Sequence, residues 1–243
     1  MFVTVALLIF SSSSFSSGLP CGDFEVLVSP HKVKAYNKQS GVKVSESDRK
    51  AHCRLLYPGT ENWINSFRDS SLIDWPYKEV FKAWSKLEKE KLLSLIPKWP
   101  ENFKNYKDIV IHRAVKSQTQ GNFGGSLPKA NAIVIYDGFF NVPDPFPTLT
   151  HELAHIHVLK LDPKSMESML RQMGWDYDRM HKPKWSGKRL PLKTDSPNSP
   201  SEDLANHIED YLHQPAKLKR DRPDIFIRLE DLLGKDFKLK EKP

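Results

Sequence analysis

Three residues within one five-residue stretch, His151, Glu152 and His155, carry the side chains that metal-assisted hydrolysis needs. On an α-helix, positions four apart share a face, so the two imidazoles can offer nitrogens to one ion. Glu152 then stands beside that ion rather than on it. From there its carboxylate can take a proton from a water and hand it to a leaving amine. Leu153 and Ala154 fall towards the opposite side, where a packed helix needs apolar groups. Two imidazoles and one carboxylate with an open position form a common catalytic zinc set, so Zn2+ is the expected ion. In a chain with nine histidines the same spacing can also arise by chance.

The elements around this stretch favour a helix. Pro143, Pro145 and Pro147 break the preceding chain, and Thr148 is the expected N-cap. Residues 149–159 contain no glycine or proline, and Asp162-Pro163 marks a stop. Upstream, the β-branched runs at residues 109–115 and 132–136 read as strands. Residues 121–126 between them are glycine-rich and read as a loop. The second of these strands is expected at a sheet edge beside the site, with Ala132, Ile133 and Val134 pairing an extended peptide by strand addition. A long helix is expected over residues 76–96, with Val80, Trp84, Leu87, Leu92 and Leu95 as its apolar stripe and Pro97 and Pro100 beyond it. His112 is a lone histidine on a strand and is assigned no role.

Two imidazoles leave such an ion short of a protein ligand. Residues 199–212 offer one on a further helix, in which Ser201 is the expected cap and Glu202 and Asp203 suit the first turn. Leu204, Ile208, Tyr211 and Leu212 form its apolar stripe. Asn206 shares a face with Glu202, where it can hydrogen-bond and orient a histidine ligand. By themselves these carboxylates are equally explained as charges favoured at a helix N-terminus.

Composition bounds the rest. The 243 residues suit one ordinary domain with an N-terminal extension, and a hydrophobic fraction of 39% with six tryptophans supplies a core. A mean hydropathy of -0.54 excludes an integral membrane protein. The net charge of +7 is spread along the chain with no basic stripe or reader motif, which argues against nucleic-acid binding. Residues 2–10 are apolar and the serines and glycine that follow suit an export signal over residues 1–18, although no Lys or Arg precedes them. That run is too short for stable membrane insertion. An extension over residues 19–50 and a main domain over residues 51–243 complete the expected division. Cys21 and Cys53 permit one disulfide in an exported chain and exclude a cysteine-based metal site.

Taken together, His-Glu-Leu-Ala-His at residues 151–155 and Ser-Pro-Ser-Glu-Asp-Leu-Ala at residues 199–205 give a resemblance to the gluzincin class of zinc metallopeptidases. Within it the chain is similar to anthrax lethal factor-like catalytic domains and related bacterial zinc peptidases. The match runs over roughly residues 109–235, and residues 211–218 and 223–226 look like that group's C-terminal end, which closes on a helix such as residues 225–233. The resemblance implies that His151, His155 and Glu202 are zinc ligands and that Glu152 is the general base. Two departures stand out. Relatives often carry a tyrosine about seven residues before the third ligand, where its hydroxyl steadies the oxyanion; this chain has Asp195. Tyr177 or His181 is then the expected substitute. Asn206 stands where an acidic residue is common. His157 and His207 are expected to be structural.

The expected fold is therefore α+β and zincin-like: a small twisted sheet packed on the active-site helix, with a mainly helical C-terminal half. The expected protein is an exported, monomeric zinc metallopeptidase acting on a protein or peptide substrate. A zincin-scaffold binding protein without activity is one alternative, favoured by Asp195. A cell-wall amide hydrolase is the other.

Overall fold

A computed structural model describes residue 21 and residues 24–28, 31–33, 36–37, 43–45, 47–50, 52–68, 79–119 and 121–239. The expected export segment, residues 1–18, lies outside the described residues. The chain divides into two compact units, Met1–Leu56 and Tyr57–Pro243.

The first unit is a two-stranded antiparallel ribbon. Strands β1 (Glu25–Val28), β2 (His31–Val33) and β3 (Tyr36–Asn37) lead out, and β4 (Lys43–Val44), β5 (Ser47–Arg49) and β6 (His52–Leu55) return. Glu25 pairs with Leu55, His31 with Arg49 and Asn37 with Lys43, so one register runs through all three pairs. Sequence reading expects a single strand and a loose connection here. The ribbon escapes it because Val26, Lys32, Lys43 and Ser47 are all exposed, which leaves little apolar alternation to detect. Cys21 and Cys53 form a disulfide with a Cα–Cα distance of 5.5 Å. The return strand carries the extension through Leu55, so the second unit starts at Tyr57.

The second unit mixes helices with small sheets. Helices α1 (Glu61–Ile64), α2 (Lys86–Leu93) and α3 (Glu101–Lys104) precede strands β7 (Val110–Arg113), β8 (Gly124–Leu127) and β9 (Ala132–Ile135). Then follow α4 (Asp137–Asn141), α5 (Phe146–Val158), α6 (Pro163–Met173), the hairpin β10 (Trp175–Tyr177) and β11 (Pro183–Trp185), and α7 (Pro200–His213), α8 (Pro215–Asp221) and α9 (Pro223–Leu233). Among the described residues no helix is long and apolar enough to cross a membrane.

The long helix expected over residues 76–96 shrinks to α2. Its early part falls partly on residues outside the description, and residues 80–82 are extended: Lys82 N donates to Arg113 O, and Val115 N to Val80 O. Val80 and Leu87, assigned to the apolar stripe, are 69% and 74% exposed. The true start is a capping box, in which Ser85 accepts from Glu88 N while the Glu88 carboxylate accepts from Ser85 N.

The three-stranded sheet has the order β7-β9-β8, with β7 parallel and β8 antiparallel to β9. This corrects the expected substrate-binding edge. Ala132, Ile133 and Val134 lie in the central strand, hydrogen-bonded on both sides and buried, so no peptide can add there. The edge strand at the cleft is β8, whose sequence Gly-Gly-Ser-Leu has no β-branched residue to announce a strand.

Helix α5 packs mainly against α7 and β8. Thr150 fixes how it sits. Its hydroxyl donates to Phe146 O and accepts from Trp99 Nε1 at 2.9 Å, while His213 Nε2 of α7 reaches the same oxygen at 2.9 Å. Trp99 is fully buried between Trp63, Phe103 and Phe146 at ring separations of 5.3, 5.8 and 5.8 Å. His157, on the far side of α5, packs on Phe103 and Phe237 and pairs with Tyr106 OH at 2.6 Å; burial pushes it down to about 4. His207 is fully buried, with Nδ1 donating to Asp203 O.

Trp99 is therefore the brace between the core and the helix that carries His151. Trp99→Ala is expected to cost about 3–5 kcal/mol in denaturant unfolding. Trp99→Phe, which removes the indole donor, should cost about 1 kcal/mol. Equal stabilities of both variants and the parent would refute this role.

Candidate metal centre

The centre is assembled by two helices meeting side by side. Helix α5 begins at Phe146, earlier than a Thr148 cap would allow, because Asp144 Oδ1 accepts from Phe146 N. Both histidines therefore sit well inside regular helix, four residues apart, with ring centroids 4.8 Å from one another. Helix α7 is capped by Ser199, whose hydroxyl accepts from Glu202 N at 3.1 Å. Ser201, expected as the cap, is thereby released, and its hydroxyl meets His155 Nδ1 at 2.8 Å.

His151 Nε2 and His155 Nε2 are 3.1 Å apart. The Glu202 carboxylate lies 3.2 Å from the first and 3.4 Å from the second. Four ligands around one ion with bonds of about 2.0–2.1 Å stand about 3.3 Å from each other, so these spacings fit a shared tetrahedral ion. His151 Nδ1 lies 3.2 Å from Glu209 Oε2. A carboxylate accepts only, so His151 donates from Nδ1 and its Nε2 is directed to the common point. The donor set His151, His155 and Glu202 could thus hold a metal ion.

Electrostatics point the same way. Burial penalises a charged His151, yet hydrogen bonds to Glu202 and Glu209 and the charge of Glu152 outweigh it and raise the imidazole to about 10. Hydrogen bonds from His151 and His155 hold Glu202 well below the usual carboxylate range. Burial works to raise Glu209, but hydrogen bonds from His151 and Lys193 bring it down on balance. These carboxylates favour the protonated imidazole, so a metal ion held here would compete with that proton.

Glu152 is buried beside these groups. Burial and the Glu202 charge push its carboxyl up, against the two imidazoles and a hydrogen bond with Ser126. It can approach β8 so closely because Gly124 has no side chain: a Cβ there would stand 2.8 Å from Glu152 Cγ. All of these groups open on a cleft of about 630 Å³, walled by β8 on one side and by Lys193, Asp195 and α7 on the other.

The remaining expectations divide. Asn206 does lie at the cleft, but its Nδ2 donates to Asp195 Oδ1 at 2.8 Å and to Ser196 Oγ at 3.3 Å rather than orienting a histidine. The carboxylate at His151 Nδ1 is Glu209, seven residues beyond Glu202, a spacing that nearly completes two helical turns and was readable in the sequence. Tyr177 and His181 do not reach the cleft lining. Tyr177 sits in the β10–β11 hairpin under the Arg171 guanidinium, and His181 is exposed at its turn with a positive φ of 55°. Both belong to the β10–β11 hairpin, away from the cleft lining. Ser201, Lys193, Gly124 and Ser126 were not singled out for the site; only the two glycines in tandem hinted at a close backbone approach.

No protein-family model, curated protein or solved structure matches this chain.

Two outcomes are expected. Zn2+ at a hundred times its Kd should stabilise the protein by about 2.7 kcal/mol, and Glu202→Ala should abolish the gain. Thermal unfolding with and without chelator measures it, and an unmoved midpoint in the parent would rule out a bound ion. Gly124→Ala should cost about 1–3 kcal/mol. Removing the obstructed side chain as well, with Glu152→Ala, should restore part of that loss. Strict additivity in the double-mutant cycle would show that the two residues do not collide.

Proposed function

We propose that the protein is a zinc-dependent metallopeptidase with a zincin-like, gluzincin-type site. The observation that carries this reading is the convergence of His151, His155 and Glu202 at distances of 3.1 to 3.4 Å, with a buried carboxylate, Glu152, at the same cleft. Two imidazoles and one carboxylate are the donor set that suits catalytic zinc, and the remaining position is left for water or substrate. These residues would hold zinc, which would supply a Lewis acid for a carbonyl and a bound water whose pKa falls to about 7.

The chain's own groups supply the rest. Glu152 accepts a proton from the attacking water and returns it to the departing nitrogen. Burial and the Glu202 charge raise its carboxyl above the ordinary carboxylate range, the direction that helps it hold the proton before passing it on. Among the described residues no strand pairs with the outer edge of β8, and an extended peptide would lie along the cleft wall there in strand-like hydrogen bonding. A peptide held so passes Glu152 on one side and the α7 side of the cleft on the other.

A second reading has one observation in its favour. Asp195, held by Asn206, lines the cleft in the segment where related peptidases often carry a tyrosine, and a carboxylate does not steady an oxyanion. That reading is a metal-binding module on a zincin scaffold without hydrolytic activity. The export and cell-wall expectations have no structural observation of their own.

Cleavage of a peptide library, with and without chelator, separates the two. The expected result is chelator-sensitive cleavage by the parent. Glu152→Gln should keep bound zinc and lose at least about a hundredfold in kcat, since general acid–base catalysis contributes about 10²–10⁴-fold. Undiminished turnover in that variant would remove Glu152 as the base. Zinc binding without any cleavage would favour the binding module.

A further inference from the structure

Glu202 and Glu209 stand on one face of α7, because seven residues fall about 20° short of two full turns. The first turns its carboxylate to the imidazole Nε2 atoms. The second reaches behind His151 to the opposite ring nitrogen, with Oε2 at 3.2 Å from Nδ1. The same Oε2 lies 2.7 Å from Lys193 Nζ. Glu209 is largely buried, 13% exposed in its side chain, while Lys193 borders the cleft. His155 has a weaker counterpart, since its Nδ1 meets only the Ser201 hydroxyl.

From this arrangement we infer that Glu209, braced by Lys193, is the positioning residue of the metal centre, fixing the ring orientation of His151 and its Nδ1–H tautomer. The inference rests on the proposed zinc site. A charged acceptor binds Nδ1–H more strongly than a hydroxyl does, so Glu209 should matter more than Ser201. Lys193 gives Glu209 a fixed partner on the side away from the ion. Its ammonium keeps the carboxylate behind the ring, where it assists His151, instead of letting it swing round as a competing ligand. Asn206, one turn before Glu209, is occupied with Asp195 and Ser196 and is unavailable for this task.

The test uses the full chain and Zn2+ alone, in competition with a chromophoric chelator and without substrate. Glu209→Gln is expected to weaken Zn2+ binding about 10–100-fold, and Ser201→Ala to weaken it less. Lys193→Met should weaken it as well, and Lys193→Arg should restore it. Two further readings separate positioning from general stability: the Co2+ absorption spectrum, and the nitrogen NMR shifts of His151 in the zinc form. Both should change in Glu209→Gln while its unfolding midpoint without metal stays near the parent's. Parental zinc affinity and an unchanged Co2+ spectrum in Glu209→Gln would overturn the inference and leave the zinc site standing. Failure of the parent itself to bind Zn2+ would overturn both.

Discussion

Two imidazole nitrogens 3.1 Å apart, each within 3.4 Å of the same carboxylate, form an arrangement that a folded chain does not hold without reason. Bare imidazole nitrogens and a carboxylate aimed at one point would repel, and either a proton on His151 or a cation between them relieves that repulsion. In this protein the point is fixed by the seating of α5 on α7, and that seating passes through Thr150. One hydroxyl gathers an indole from the core, a histidine from α7 and a carbonyl from its own helix, immediately beside His151. The polar contact that aligns the helices is thus adjacent in sequence to the ligand whose position matters. The rest of the unit, from the Trp63–Trp99 pair to the sheet, serves to keep that contact dry.

Charge is distributed unevenly. The chain as a whole carries +7, yet the cleft brings together Glu79, Glu152, Asp195, Glu202 and Glu209 around two imidazoles and one lysine. These carboxylates outnumber Lys193 and the two imidazoles, so the cleft favours a cation although the chain as a whole is positive. The hydrogen bonds inside the pocket hold these groups in place. Three of these carboxylates are matched to donors at the centre: Glu202 to both imidazoles, Glu209 to His151 Nδ1 and Lys193, Asp195 to Asn206. That allocation lets so many acids share a small space.

The centre was legible in the sequence where helical periodicity carried it. The spacing of His151 and His155 and the position of Glu202 in a first turn are local facts, and the structure brings all three together. Helix starts were read less well, because hydroxyls compete for the capping role: Ser199 took the cap assigned to Ser201, and Asp144 acted ahead of Thr148. Tertiary pairing was the least legible. Residues 132–136 look like any strand, and nothing in Ala-Ile-Val-Ile tells a central strand from an edge. The edge itself is glycine-rich and reads as a loop. The fine detail of the α+β fold therefore depended on contacts distant in sequence, which periodicity does not report.

The tandem glycines of β8 carry one more consequence. Gly124 and Gly125 present backbone and little else along that stretch of the wall, with Gly124 kept bare by the carboxylate behind it. Under the proposed peptidase reading such a surface would gauge whether a visitor is stretched out and which way it runs, and be indifferent to its lettering. Choice among visitors would then fall to the opposite bank, where Asp195 and the segment around it stand. Divergence in what the cleft accepts would be written there, while the glycine bank stays constant.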